Sequence, residues 1–112
     1  MIINEISFHD SKVLKVIENP DEQTLDFFID FPTDWENNIF EHKILRFKDV
    51  TFYSIEEIPF RGLPTILNVI NLGQITKDFS TSSHEWIIIR NKIKIETIAG
   101  NRIIEFSDCK FI

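Results

Sequence analysis

Two nine-residue stretches of this chain share one pattern of side chains. Leu45-Arg46-Phe47-Lys48-Asp49-Val50-Thr51-Phe52-Tyr53 aligns without gaps on Ile104-Glu105-Phe106-Ser107-Asp108-Cys109-Lys110-Phe111-Ile112. In each copy the apolar residues alternate with polar ones, as they must on a strand with one buried face, and the alternation changes phase partway along. Ile104 and Phe106 are even-numbered, whereas Cys109 and Phe111 are odd. A β-bulge at Ser107-Asp108 would return all four to one face. Upstream of each copy a His-acid pair, His9-Asp10 or His84-Glu85, leads into an apolar run, Val13 to Ile17 or Trp86 to Ile89. Two explanations fit: an internal pseudo-repeat over 9–55 and 84–112, built as two three-stranded meanders, or a chance likeness of two bulged amphipathic strands.

The second copy belongs to the clearest hairpin in the chain. Gly100-Asn101 is a dipeptide that supplies positive φ for a tight turn, and period-2 runs rich in Ile flank it. With that turn, Ala99 faces Arg102, Thr97 faces Ile104 and Ile95 faces Phe106 on a core face. Ile98 then faces Ile103, and Glu96 faces Glu105, on a wet one. Two carboxylates directly opposite each other destabilise a sheet unless a base or a partner neutralises them.

Side-chain usage points the same way. The chain has 21 Ile and 11 Phe against one alanine and six Leu, so residues that suit a pleated surface dominate and good helix formers are few. A chain of 112 residues is expected to be one domain, 1–112, with enough buried surface for a core without disulfides. The expected fold is mostly β, an α+β arrangement with one short helix, its antiparallel hairpins and meanders forming a sandwich or a partly closed barrel. Cys109, the only cysteine, excludes an internal disulfide and a multi-cysteine metal site, and its alternation with core positions predicts a buried, inert thiol.

In chain order, Ile2 to Phe8 is a short strand or a lead-in. Lys12–Glu18 and Thr24–Phe31 form a hairpin around Asn19-Pro20-Asp21-Glu22-Gln23. Leu25, Phe27, Ile29 and Phe31 share its inner face, while Phe28 stands between Asp26 and Asp30 on the outer one. Pro64 suits the first turn of a helix running to about Leu72 and stopped by Gly73, with Ile66, Leu67 and Ile70 toward the sheet; a longer strand is the competitor. Gln74 to Phe79 suits another strand.

Charge gives the sharpest functional signal. From Glu18 to Glu41 there are eight acids and no Lys or Arg, in a chain of net charge −6. The stretch includes Asp34-Trp35-Glu36, a Trp between two acids. An exposed Trp is the kind of anchor that dominates interfaces, and surrounding acids steer a basic partner toward it. Asp26, Phe28, Asp30, Asp34, Trp35 and Glu36 are therefore the candidate protein-binding residues. The competing reading folds Trp35 onto the core and leaves the acids to solubilise a sheet edge. An acidic chain does not suit nucleic acid, which requires a basic surface. The amino-terminal residues lack a secretory pattern and no window approaches ~20 apolar residues, so a cytoplasmic protein free of the membrane is expected. An unpaired edge in so small a protein leaves monomer and homodimer both open.

Catalytic templates find no match. His9-Asp10 has the residue types of a phosphohydrolase metal dipeptide, but the further ligands and the helices to present them are missing. Ser83-His84-Glu85 has the residue types of a hydrolase triad, yet neighbouring strand residues point to opposite faces. Gly62, Gly73 and Gly100 stand alone, so there is no phosphate loop, and the acids lack calcium-loop spacing. No catalytic residue, metal or cofactor is assigned.

Phe8-His9-Asp10-Ser11 before an apolar strand, the Asn-Pro-Asp turn, the acidic second strand and Leu45-x-Phe47-x-Asp49-Val50 together resemble small, mostly β bacterial proteins that include immunity proteins of polymorphic toxin systems. That resemblance implies a cytoplasmic protein that binds and blocks a cognate toxin without catalysis. It assigns no binding residue. His9 and Asp10 form a polar cluster that either serves function or fixes the fold, His9 packing at the strand start and Asp10 bonding backbone amides. Three functions stay open: a non-catalytic, immunity-like module that binds a basic partner protein, a β-barrel or cup with an enclosed apolar pocket of at least ~300 Å³ for a small ligand, and an enzyme with an unfamiliar site.

Overall fold

A computed structural model of the chain covers residues 1–112. After one 3-10 turn, Ile2–Asn4, come eight strands: β1 (Lys12–Asn19), β2 (Thr24–Asp34), β3 (Ile39–Lys48), β4 (Phe52–Glu57), β5 (Ile66–Asp78), β6 (Ile87–Thr97), β7 (Gly100–Phe106) and β8 (Asp108–Phe111). All pairings are antiparallel, in two four-stranded sheets ordered β1-β2-β3-β8 and β4-β7-β6-β5. The sheets meet at the start of β1, where Lys12 bridges Thr65, but they do not close into a barrel. No helix is long and apolar enough to cross a membrane.

The two phase breaks are the places where the chain changes sheets. Each nine-residue copy begins in one sheet and ends in the other, in opposite senses: β3 leads into β4, and β7 leads into β8. Because β3 pairs with β8 and β4 with β7, the four strands form one antiparallel ribbon bent at Asp49–Thr51 and at Ser107. The bend is tied across. The Ser107 amide donates to the Lys48 carbonyl (2.9 Å), the Thr51 amide to the Glu105 carbonyl (2.9 Å), and the Ser107 hydroxyl to Asp49 Oδ2 (2.6 Å). Asp49, with φ of 50°, takes the left-handed conformation that a tight change of direction needs. Ile104, Phe106 and Cys109 are buried and Phe111 half-buried, so all four do reach the core, by a crossing and not by a bulge within one strand. Each three-stranded meander, β1-β2-β3 or β5-β6-β7, is completed by the fourth strand of the other half.

Two local expectations are corrected. The β6–β7 turn is Ile98-Ala99, two residues before Gly100-Asn101, and it pairs Thr97 with Gly100, Ile95 with Arg102 and Ile93 with Ile104. A shift by an even number keeps every residue on its expected face. It also removes the clash of acids: Glu96 faces Asn101, and Glu105 faces Lys92 while its carboxylate takes the Lys77 ammonium at 2.6 Å. Gly100 serves a different need, since a Cβ there would lie 2.1 Å from the Glu56 carbonyl oxygen of β4. The stretch from Pro64 to Leu72 is not a helix. Ile66, Val69 and Ile70 are β-branched and find partners in β6, so they extend as the first half of β5, bulged at Ile66/Asn68 and Asn71/Gln74. Gly73, at φ 87°, sits in the second bulge and stops no helix; Leu67 is exposed.

Fourteen buried apolar residues form the core, with Phe27, Phe47, Ile29, Ile93, Ile104 and Phe106 at its centre. Phe47 packs edge-on to both Phe27 (5.4 Å between centroids) and Phe106 (4.9 Å). One charged pair lies among them. Arg102 forks onto Glu57 (Nε to Oε2 2.9 Å, Nη2 to Oε1 2.8 Å) and donates to the Tyr53 hydroxyl at 3.2 Å, while Thr97 donates to Glu57 Oε2 at 3.0 Å. Both charged side chains are about a tenth exposed.

Candidate functional site

The six candidate binding residues fall into two groups. Asp26, Phe28 and Asp30 lie mid-strand on the outer face of β2, whereas Asp34 ends the strand and Trp35 and Glu36 follow it in the turn. Nine residues of extended chain separate Asp26 from Trp35, roughly 30 Å.

The outer face is not acidic, because antiparallel pairing sets a base beside each acid. Asp26 takes a two-bonded fork from Arg46 (Nε to Oδ1 and Nη2 to Oδ2, both 2.8 Å), its cross-strand neighbour on β3. Asp30 lies between Lys12 and His42, with His42 Nε2 at 2.9 Å. Phe28 is half-buried, with the Lys15 ammonium 4.5 Å above its ring. Register puts Lys12, Lys15, Arg46, Lys48 and Lys110 on this face against Asp26, Asp30 and Asp108, so bases outnumber acids. Lys110 has Lys48 as a hydrogen-bonding and like-charged neighbour, which holds its ammonium below the usual lysine range.

The far end is different. β1 reaches only to Asp30, and β8 only to Leu45, so the distal parts of β2 and β3 project as a two-stranded ribbon. Its turn is built locally. The Asp34 carboxylate accepts from Asn37 Nδ2 (2.7 Å) and from the Asn37 amide (3.2 Å), Asn38 adopts φ 54°, and the Asn38 amide returns to the Trp35 carbonyl. The bonds from Asn37 hold the Asp34 carboxyl below its ordinary value. Trp35 does not fold back: it is 61% exposed, between two acids that make no ion pair within 4.0 Å.

His9 and Asp10 fasten the start of β1 to β5. His9 Nδ1 lies 2.7 Å from the Leu67 carbonyl, a contact that needs the proton on that nitrogen, and the Asp10 amide donates to the Ile66 carbonyl at 2.9 Å. Asp10 has φ of 67°, and its carboxylate turns to His9 Nε2 (3.4 Å), not to backbone amides.

Two surface features escaped the sequence reading. Twelve of the sixteen large apolar side chains left exposed lie between Phe52 and Ile98, away from the acidic stretch. The most compact set is on the β5–β6 hairpin, where Phe79 and Trp86 pack at 5.6 Å beside Ile87 and Ile89. Ile87 and Ile89 continue the inward stripe of Ile93 and Ile95 past the last β7 partner, Phe106 opposite Asn91. The unbroken run Trp86 to Ile89 was the available signal, since a strand apolar on both faces exposes one of them unless both are covered. The second feature is a cleft of about 360 Å³ between the β1–β2 turn and β4, with Leu25, Val50, Phe52 and Tyr53 as its apolar lining. It opens to solvent and is not an enclosed apolar cup.

Compared with known proteins, the chain matches no family model, no curated protein sequence and no solved structure.

Proposed function

We propose that the protein is a non-catalytic binding module, immunity-like in that it occupies and blocks a basic partner protein in the cytoplasm, and that the β2–β3 hairpin tip makes the contact. The observation that carries this reading is Trp35, 61% exposed at the end of a projecting ribbon. A large aromatic side chain there offers contact area at little conformational cost, and Asp34 and Glu36 beside it favour a basic surface. Asp26 and Asp30 lie off the contact because the Arg46 guanidinium pairs with Asp26, and His42 Nε2 and Lys12 flank Asp30.

The test is capture of a partner from lysate of the native source on immobilised protein, at low and high salt. Wild type and Asp26→Asn/Asp30→Asn are expected to retain the same basic protein, Trp35→Ala to lose it, and salt to weaken it. Trp86→Ala serves as comparator. If Trp35→Ala retains the partner while Trp86→Ala loses it, the contact lies on the β5–β6 hairpin and the acid-flanked anchor is the wrong site.

A further inference from the structure

We propose that the cleft between the β1–β2 turn and the start of β4 binds an organic cation of the amine or guanidinium type, such as a lysine or arginine side chain. Its volume, about 360 Å³, falls within the range of small-molecule sites. Among the residues that line it, Glu18 is the only charged one; no Lys, Arg or His lines it. Phe52 and Tyr53 of β4 line it as well, and because neighbouring strand residues point to opposite faces, Tyr53, which packs against Phe27 on the inner side, is the aromatic ring that accompanies Glu18. Phe52 already has the Lys77 ammonium 5.3 Å from its ring centroid, which leaves Tyr53 as the aromatic partner for the ligand.

Electrostatics select the same place. Of the eight acids between Glu18 and Glu41, Asp26, Asp30 and Glu41 have bases within 4.0 Å. Glu18 has none, nor do Asp21 and Glu22 on the same turn. Glu18 thus brings an unpaired carboxylate to the lining of the cleft, with Asp21 and Glu22 on the adjoining turn. An anion is disfavoured there, and a neutral ligand can accept no charge pairing from Glu18, only a hydrogen bond.

The walls are held before any ligand arrives. The Val50 amide donates to the Gln23 carbonyl at 2.9 Å, joining the turn to the bend of the long ribbon. The Glu22 amide donates to Asn19 Oδ1, and Gln23 takes φ 54°. Arg102 donates to the Tyr53 hydroxyl at 3.2 Å and so fixes the ring. A preformed site loses little order on binding, which favours affinity for a small group.

The proposal does not rest on the Trp35 contact, which lies at the other end of β2. The test is an amide-resolved NMR titration with N-acetyl-arginine amide, and with N-acetyl-citrulline amide as a neutral probe of the same shape. Saturable shifts confined to residues 18–25 and 50–53 are expected with the arginine probe. Binding should be roughly tenfold weaker for the citrulline probe, and for the arginine probe on Glu18→Gln, the loss of one charge-assisted contact. Trp35→Ala should bind as wild type does, so failure here and failure at the hairpin tip are read separately. Absence of saturable shifts in wild type, equal binding of the two probes, or an unchanged Glu18→Gln would each overturn the proposal.

Discussion

Phe47 and Phe106 occupy the same position in the two nine-residue copies, and their rings meet edge to face at 4.9 Å and 79° in the centre of the core. Neither has any exposed surface. Each is the last core residue before its strand crosses to the other sheet, so the pair holds the bend of the long ribbon from inside. Phe47→Ala or Phe106→Ala is expected to cost about 3–5 kcal/mol, a large part of the stability of a domain this size. A double-mutant cycle in urea should find about 0.5–1.5 kcal/mol of coupling between them. Strict additivity would mean that the two crossings are held independently.

Gly100 has no room for a side chain. A Cβ would sit 2.1 Å from the Glu56 carbonyl oxygen and 2.9 Å from Glu57 Cα, both backbone atoms of β4 that cannot turn aside. Gly100→Ala should therefore push β4 off the sheet, lowering stability by at least about 2 kcal/mol. Amide exchange should quicken at Ile58, whose N–H is bonded to the Ala99 carbonyl. Gly73→Ala is the control. Nothing lies within 4 Å of its Cβ position, so it meets only the strain of φ 87°, about 1 kcal/mol. Equal losses for the two would show that conformation, and not the approach of β4, fixes Gly100.

These two glycines also show where the sequence stops being legible. Alternation with a period of two is a local signal, and it places the inner residues of β2, β3 and β6 on their correct face because each buries one side; it misses Glu105 of β7, expected on the wet face but buried, where the Lys77 ammonium meets it. Gly100-Asn101 is read as a turn from its neighbours alone, but its glycine is required by a strand more than forty residues away. Pro64 and Gly73 punctuate a stretch that fits a helix locally, and only the presence of β6 beside it makes a strand the better state. The acidic stretch fails in the same manner. Asp26 and Asp30 look free in a run without bases, while Arg46 and His42, which answer them, arrive from the next strand.

Cys109 is packed away from solvent beside Leu45 and Phe47 of β3, and burial pushes its thiol up to about 12. Since the thiolate is the reactive form, native protein at pH 8 should be inert to a thiol-specific reagent. Labelling should appear only with unfolding, and its rate should follow urea concentration as the global opening does. Rapid labelling of folded protein would place Cys109 on a surface that opens locally.

Glu57 and Tyr53, both bonded by Arg102, give the fold its pH limits. Burial alone would raise the Glu57 carboxyl, but the fork from Arg102 and the bond from Thr97 outweigh it and hold the group below its ordinary value near 4.5. A depressed carboxyl stabilises fully above that value, and the contribution is lost as pH falls through the lower folded value. Tyr53 moves the other way: burial, only partly offset by Arg102, raises its hydroxyl above 10, so its contribution is complete below pH 10 and lost as pH rises beyond. Thermal unfolding across pH should show a plateau bounded by these two windows. Arg102→Met alone leaves Glu57 buried without its cation and should cost about 3–5 kcal/mol at neutral pH, whereas Glu57→Leu/Arg102→Met should recover much of that and flatten the acid limb. If the double variant is no more stable than Arg102→Met, the loss comes from packing around the guanidinium stem and not from the unpaired carboxylate.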